Sequence, residues 1–450
     1  MSVLFMIICL SFFFYPLMLL INLNFLVVFF IYNFNFNDLL WVECSFILDK
    51  ISLALFMLSL MIWLVMMMSE FSKWNNKFME FIFMILLLSV GLVFMVSEYL
   101  TFYMMFEITL IPMLVYIVLG GGSFDRVEAG IYMLLYTLLV SFPLMLNIFM
   151  NMGVLGSMFM FFEGGVSNNL SIYLFIMLSF MVKLPMYMFH LWLPKAHVEA
   201  SVSGSMLLAG IMLKMGGYGI LRFMYSLKVL FVCYSFIFIS LSLFGSMLAS
   251  LESLRFLDMK ILVAYSSIVH MGVMLVGILS MSMLGLLGGL MLMISHGICS
   301  SGLFGVVNLI YERSGTRSLF FNKGGLLLSS NLLFFWFILC INNMSSPPSL
   351  NLFSELFIMG GFMYLFINMI VFLVMIMFFG GVYSIYLFSF SQYGKFSYNF
   401  YFKENFSVCD FFLMLKHIFP LNLMFLMMDL YIYSNFINVF VTFFFDMKFK

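Results

Sequence analysis

The sequence predicts an all-α polytopic membrane protein with about 14 transmembrane helices, and three observations carry that prediction. Of 450 residues, 65% are hydrophobic and only 8% charged, with a mean hydropathy of +1.18; ordinary water-soluble domains are about a quarter charged. Apolar runs of the roughly 20 residues needed to cross a bilayer recur from one end of the chain to the other. Leu, Phe, Ile and Met are spread evenly, with no alternation of polar and apolar positions, which argues for helices rather than a lipid-facing barrel.

Taken in order, residues 3–21 and 22–37 are apolar stretches punctuated by Asn, and 38–50 form an acidic connection. Spans follow at 51–68, 79–96 and 99–119, the last containing Glu107 and closed by GGGSFDRVEAG. After 131–152 and a loop with Glu163 come 170–194, broken by Pro185 and Pro194, and 201–224. The second half reads 229–250, 261–281, 284–311, then 325–343 continuing past Pro347 and Pro348 to about 360, 361–390, and a last span within 410–445.

The charges support this count. With the N-terminus on the outer side and alternating spans, the inner connections hold twelve cations: Lys73, Lys77, Arg126, Lys195, Arg255, Lys260, Arg313, Arg317, Lys323, Lys395, Lys403 and Lys416. Outer connections and the tail hold four: Lys50, Lys228, Lys448 and Lys450. That is the asymmetry of the positive-inside rule.

Composition also excludes. With 19 basic and 19 acidic residues there is no case for nucleic-acid binding. The six cysteines are scattered, with no CxxC and no Cys/His cluster, so no metal site or disulfide framework is expected. The first basic residue is Lys50, which argues against a signal peptide or an Arg-rich transit leader. The 47 Met and 62 Phe fit two readings: lipid-facing filler, or T-rich codons with a code that reads an isoleucine codon as Met, as in animal mitochondria.

Against this background the ionisable residues inside spans stand out. Lys183 and Lys214 each sit where hydrocarbon is expected, at a cost of about 2.5–3.5 kcal/mol at a helix centre. Pro185 withholds an amide from its helix, and this is expected to free the carbonyl near Met181 beside the Lys183 ammonium. Burial penalises the charged form of any group, so a buried lysine can lose and regain a proton, as a relay requires; snorkelling to an interface is the alternative. Lys214 follows a small-residue stripe, Ser201, Ser205 and Ala209, with Gly210 one turn before it, a pattern for close helix packing.

Glu107, five residues before Pro112, reads either as a neutral, hydrogen-bonded acid or as the partner of a buried lysine; intramembrane acids point to pathways. His190, seven residues after Lys183, fits a relay member or a core histidine equally. His270 with Ser266, and His296 with Ser300, place a hydroxyl one turn from each imidazole on consecutive spans, the pattern of a hydrated line. Glu355 follows the Pro347–Pro348 interruption and is the only acid between Glu312 and Glu404. Two interrupted spans in corresponding halves point to a transporter with its path at the midplane. The clusters Glu252/Arg255/Asp258/Lys260 and Glu312/Arg313/Arg317 read as solvated or subunit-contacting inner loops.

These residues also carry a resemblance. FEITLIPM, HLWLPKAHVEASVSGSMLLAGIMLKMGGYGILR, DMKILVAYSSIVHMG, SHGICSSGLFGVVNLIYERSGTR and PPSLNLFSELF, in that order from about 98 to 360, resemble the antiporter-like subunits of mitochondrial NADH–ubiquinone oxidoreductase (respiratory complex I), relatives of cation/proton antiporter subunits. Within that family a glutamate at 355 resembles the chain 4 group; chain 5 usually has a lysine there, and chain 2 is shorter. The resemblance implies two inverted five-helix repeats with discontinuous helices, here 79–224 and 225–390, flanked by N-terminal helices at 1–78 and a loop and last helix at 391–450. It implies that Glu107 and Lys183 pair in the first half-channel, that Lys214 bridges the halves, that His270 and His296 form the central axis, and that Glu355 is the exit carboxylate. FMN, iron–sulfur clusters, NADH and ubiquinone would belong to other subunits, with no cofactor or metal on this chain. The implied partners are the neighbouring antiporter-like chains 2 and 5, accessory subunits and membrane lipids, and the implied location is the mitochondrial inner membrane, with the chain encoded in the organelle. Ser201 stands where the family usually has proline, Ser354 where it has glycine, and RFLDMK where it has RQTDLK; none removes a titratable centre. Two rival readings remain: a stand-alone Na⁺/H⁺ antiporter subunit, and a scaffold whose charges only hold helices together.

Overall fold

The structure is a computed structural model that describes residues 41–43, 46–70, 77–120, 125–155, 160, 170–324, 330–394 and 406–426. Among these residues ten helices are long and apolar enough to cross a membrane. Two further crossings are interrupted, as their prolines require. The expected spans at 3–21 and 22–37 lie outside the described residues, as do Glu163 and the last part of the chain.

The acidic connection is partly ordered: β1 (Trp41–Glu43) and β2 (Phe46–Leu48) pair antiparallel, Trp41 opposite Leu48. Asp49 then opens α1 (Lys50–Glu70), its backbone N–H donating to the Ser52 hydroxyl at 2.7 Å. After α2 (Lys77–Met95), the single span expected at 99–119 is two helices, α3 (Tyr99–Ile108) and α4 (Leu110–Gly120). Pro112 has no amide to give the Ile108 carbonyl, so the ladder loosens at Thr109. α5 (Arg126–Leu155) begins earlier than expected and absorbs part of the polar connection, with Glu128 in its first turn, where the helix dipole favours an acid.

The first interruption falls where the charge is. α6 (Leu170–Lys183) stops at Lys183, turns occupy 184–191, and a short helix α7 (Trp192–Glu199) follows. The next crossing is compound: α8 (Val202–Leu207), a π-helical stretch at Leu208–Met212, and α9 (Leu213–Ser226). α10 (Lys228–Ser253), α11 (Met259–Leu279) and α12 (Met283–Ser314) complete the centre. The second interruption separates α13 (Ser330–Asn343) from α14 (Leu350–Leu365), and α15 (Ile370–Gln392) and α16 (Val408–Leu426) close the bundle.

The span beginning at Val202, α11 and α12 are almost wholly buried, whereas α5, α15 and α16 turn most of their length outward. Hydropathy does not separate these classes, because lipid is as apolar as a leucine core. Glycine does. A Cβ on Gly297 would stand 3.1 Å from the Gly210 carbonyl oxygen and 2.8 Å from Leu58 Cδ1, so α12 meets the π-helical stretch backbone to backbone. A Cβ on Gly288 would stand 2.7 Å from the Ser354 carbonyl oxygen, which presses α12 onto α14 beside Glu355.

At the cation-rich end the connections bind one another. Arg317 Nη1 donates to the Val198 carbonyl at 2.8 Å and Lys260 Nζ to the Ala200 carbonyl at 3.0 Å, together holding the end of α7. Arg313 pairs with Asp410 at 2.6 Å and Tyr187 donates to Glu252 at 2.8 Å. Glu252, Lys260, Arg313 and Arg317 therefore clamp loops together, beyond the expected solvated or subunit-contacting role, while Arg255, Asp258 and Glu312 are exposed as expected of solvated charges. Segments that span alternation places on one side are joined there, and the half-buried Arg222–Asp49 pair belongs to segments that alternation places on the other.

Candidate functional site: a buried row of ionisable side chains

Lys214 lies immediately after the π-helical stretch, a wider i→i+5 winding common at functional sites. Its ammonium donates to the Ala209 carbonyl within that stretch and approaches His296 Nδ1 at 3.0 Å. An ammonium has donors only, so a charged Lys214 makes Nδ1 the acceptor and leaves the imidazole proton of His296 on Nε2. The rings of His296 and His270 follow at 5.4 Å between centroids, tilted by 41°. His270 Nδ1 then faces Glu355 Oε1 at 3.3 Å, and the other carboxylate oxygen accepts a hydrogen bond from Ser345. Lys214, His296, His270 and Glu355 are all buried. Four of the six residues singled out by sequence thus line up in one row across α9, α12, α11 and α14.

The other two stand apart from it. Lys183 Nζ donates to the Phe106 carbonyl at 3.0 Å and sits over the Phe106 ring, while both oxygens of Glu107 are buried without a hydrogen-bond partner among the described residues. Ser141 and Lys183 lie in the surroundings of Glu107, but the expected pair is open. Successive helix residues point about 100° apart, so with Phe106 turned to Lys183, Glu107 is carried off that line. The carbonyl expected to be freed near Met181 is also taken, accepting from the Met186 amide at 3.1 Å; the ammonium is served by α3 instead.

α6 and α9 touch at Gly216, where a Cβ would stand 2.9 Å from Leu184 Cγ and 3.4 Å from Lys183 Cβ. The two ammonium groups nevertheless turn to different partners, Phe106 and His296, and no hydrogen-bonded side chain joins them among the described residues. The hydroxyls expected to serve the imidazoles bond to their own helices: Ser266 to the Val263 carbonyl and Ser300 to the His296 carbonyl, each at 2.7 Å. This is the usual back-bonding of serine within helices.

His190 is buried in the first interruption, stacked on Tyr187 at 4.9 Å and edge-on to Tyr265 at 5.8 Å, away from the row. Sequence reasoning passed over three groups. Tyr383 of α15 reaches inward so that its hydroxyl meets His270 Nε2 at 3.1 Å. His197 is fully buried, stacked on Phe304 at 4.5 Å, with both ring nitrogens unpartnered among the described residues. Glu70, Tyr116, Ser201 and Ser203 form a hydrogen-bonded cluster near the start of α8. A tyrosine inside a long apolar run gives no signal of which face it occupies.

A family model described as "NADH:quinone oxidoreductase/Mrp antiporter, TM" matches residues 96–382, which include all six residues. The chain is 42% identical over 412 residues to NADH-ubiquinone oxidoreductase chain 4 of Ceratitis capitata, covering 90% of this chain and 92% of that one. In fold it resembles a chain in the structure of respiratory complex I from Thermus thermophilus with bound NADH, with TM-score 0.83, 20% identity and 94% of each chain covered. It also resembles a chain of the Mrp complex from Dietzia sp. DQ12-45-1b, with TM-score 0.77, 16% identity, and 84% of this chain and 75% of that one covered. The chain belongs to the family of antiporter-like membrane subunits of NADH:quinone oxidoreductase and Mrp antiporters, within its NADH-ubiquinone oxidoreductase chain 4 group.

Proposed function

We propose that this chain is a proton-translocating core subunit of the membrane arm of respiratory complex I in the mitochondrial inner membrane. It carries protons from the matrix to the intermembrane space while other subunits pass electrons from NADH to ubiquinone. The observation that carries the reading is the buried row Lys214–His296–His270–Glu355. A lysine, two imidazoles and a carboxylate, 3.0 and 3.3 Å apart at the ends of the row with the imidazole centroids 5.4 Å apart, are costly in a membrane protein and are suited to handing a proton along. FMN, iron–sulfur clusters, NADH and ubiquinone are the business of other subunits, and the neighbours of this chain are the antiporter-like chains 2 and 5.

Lys183 acts in this reading as the switch. Its ammonium rests on the Phe106 carbonyl, with Glu107 close by and unpaired. Redox events elsewhere in the complex close or open that pair, and the altered field at Lys183 drives the Lys214 proton into the row. Because the two lysines are not bonded to one another, the influence of Lys183 on Lys214 is electrostatic, or is passed through the α6–α9 contact at Gly216.

The test is proton translocation by the assembled complex carrying Lys183→Ala or Glu355→Gln. Loss of pumping with normal assembly is expected for both. Normal assembly with undiminished pumping would sink the relay and leave a scaffold. Sodium-dependent transport by the purified chain, without NADH or quinone, would instead favour an antiporter subunit.

A further inference from the structure

The row has one unfilled joint. Lys214 is bonded to His296 and His270 faces Glu355, but the two imidazoles are not bonded to each other: their rings stand 5.4 Å apart and tilted. His296 Nε2 is buried and has no partner among the described residues. His270 Nε2 is occupied, at 3.1 Å, by the hydroxyl of the fully buried Tyr383.

The donor inventory sets the direction of that bond. With Glu355 as the carboxylate, which only accepts, Nδ1 of His270, which faces it, carries the imidazole proton. Nε2 is then a bare acceptor and the Tyr383 hydroxyl donates to it. With Nδ1 committed to Glu355, the remaining way onto the ring is through the nitrogen that Tyr383 covers.

We propose that Tyr383 is a member of the relay, placed between His296 and His270 and joined to His296 by one buried water. This rests on the proton-translocating reading above. The water has a physical warrant: buried waters sit where otherwise unsatisfied polar groups converge, and the Nε2 of His296 is such a group on a ring 5.4 Å from the one whose Nε2 meets the Tyr383 hydroxyl.

The step balances. A proton leaves the Lys214 ammonium for His296 Nδ1, and His296 releases its Nε2 proton to the water. The water passes a proton to the Tyr383 oxygen as the Tyr383 O–H bond breaks towards His270 Nε2. His270 gives its Nδ1 proton to Glu355. Lys214 ends as a neutral amine and Glu355 as a neutral acid. Water and tyrosine are regenerated and no phenolate forms, as it should not for a phenol with an ordinary pKa of about 10. Both imidazoles have exchanged tautomers, and their return resets the row.

Tyr383→Phe removes one oxygen and keeps the ring. In the assembled complex, the rate of proton translocation should fall about a hundredfold, the lower end of what a positioned proton-transfer group supplies. Assembly, and NADH oxidation by an artificial electron acceptor, should be retained, and the solvent deuterium isotope effect on translocation should rise. A residue that only orients the His270 ring would leave that isotope effect unmoved. Unchanged translocation in Tyr383→Phe, with translocation lost in Glu355→Gln, overturns the role of Tyr383 alone; unchanged translocation in both overturns the relay itself. If Tyr383→Phe does not assemble, a water-resolving structure of the wild-type complex decides. A water bonded to both His296 Nε2 and the Tyr383 oxygen supports the proposal, and a water chain from His296 to His270 or Glu355 that omits Tyr383 overturns it.

Discussion

Lys214 Nζ lies 3.0 Å from Nδ1 of His296, and neither side chain has any exposed surface. The contact joins the first turn of α9, just past the π-helical stretch, to α12, the longest helix among the described residues, and it depends on two glycines, Gly210 and Gly297, that bring those backbones together. A charged Lys214 donates to that His296 nitrogen, which sets the path for its proton.

Replacing Lys214 with methionine keeps the volume and removes the proton. The complex should assemble with thermal stability changed little, because relief of the buried charge is offset by leaving the Nδ1 of His296 and the Ala209 carbonyl without their donor. Translocation should fall about a hundredfold, the scale of a missing acid–base group. Pumping assays beside thermal melts of the purified complex separate the two effects.

Gly297→Ala tests the geometry without touching a titratable group. Its Cβ would press on the Gly210 carbonyl and on Leu58. The helices must part, at a cost of about 1–3 kcal/mol for overpacking, and the Lys214–His296 contact lengthens. Translocation should drop together with thermal stability, whereas Lys214→Met lowers translocation alone. Melting temperature and proton stoichiometry measured on the same preparation check this.

At the cation-rich end, Glu199 offers a pH test outside the spans. Burial raises its pKa, Asp125 adds to the effect, and Arg317 and Lys260 oppose it. A carboxyl whose pKa is raised in the fold keeps its proton to higher pH there than in the unfolded chain. It costs no stability below the ordinary carboxylate range, and the cost grows as pH rises from that range through the raised folded value and then stays. Glu199→Gln removes this cost, so its melting temperature should exceed wild type at pH 8 and match it at pH 4. Thermal denaturation at the two values gives the sign.

The spans, their interruptions and the residues worth watching were legible because each has a local cause. Hydrocarbon thickness sets run length, proline breaks a ladder at its own position, and a charge in an apolar run announces itself. Thus α6 ends at Lys183, two residues before Pro185, and α14 begins two residues after Pro348. The inner charge clusters were visible too, but their work as clamps was not. Lys260 reaching the Ala200 carbonyl is a contact between segments 60 residues apart, and nothing local encodes it.

By itself, then, the sequence determined a helical membrane protein, the two proline-marked interruptions after Lys183 and before Glu355, and six ionisable residues placed at a price in hydrocarbon. Only the tertiary structure decided which of those six meet. Helix packing against Gly210, Gly297 and Gly288 drew Lys214, His296, His270 and Glu355 into one row, while the rotation of α3 left Glu107 unpaired and Lys183 on the Phe106 carbonyl. It also brought in Tyr383 from an otherwise outward-facing helix. The physical reason is that a lone charge is marked by its local cost, whereas its partner is chosen by the azimuth of a neighbouring helix, and no apolar run of sequence carries that angle.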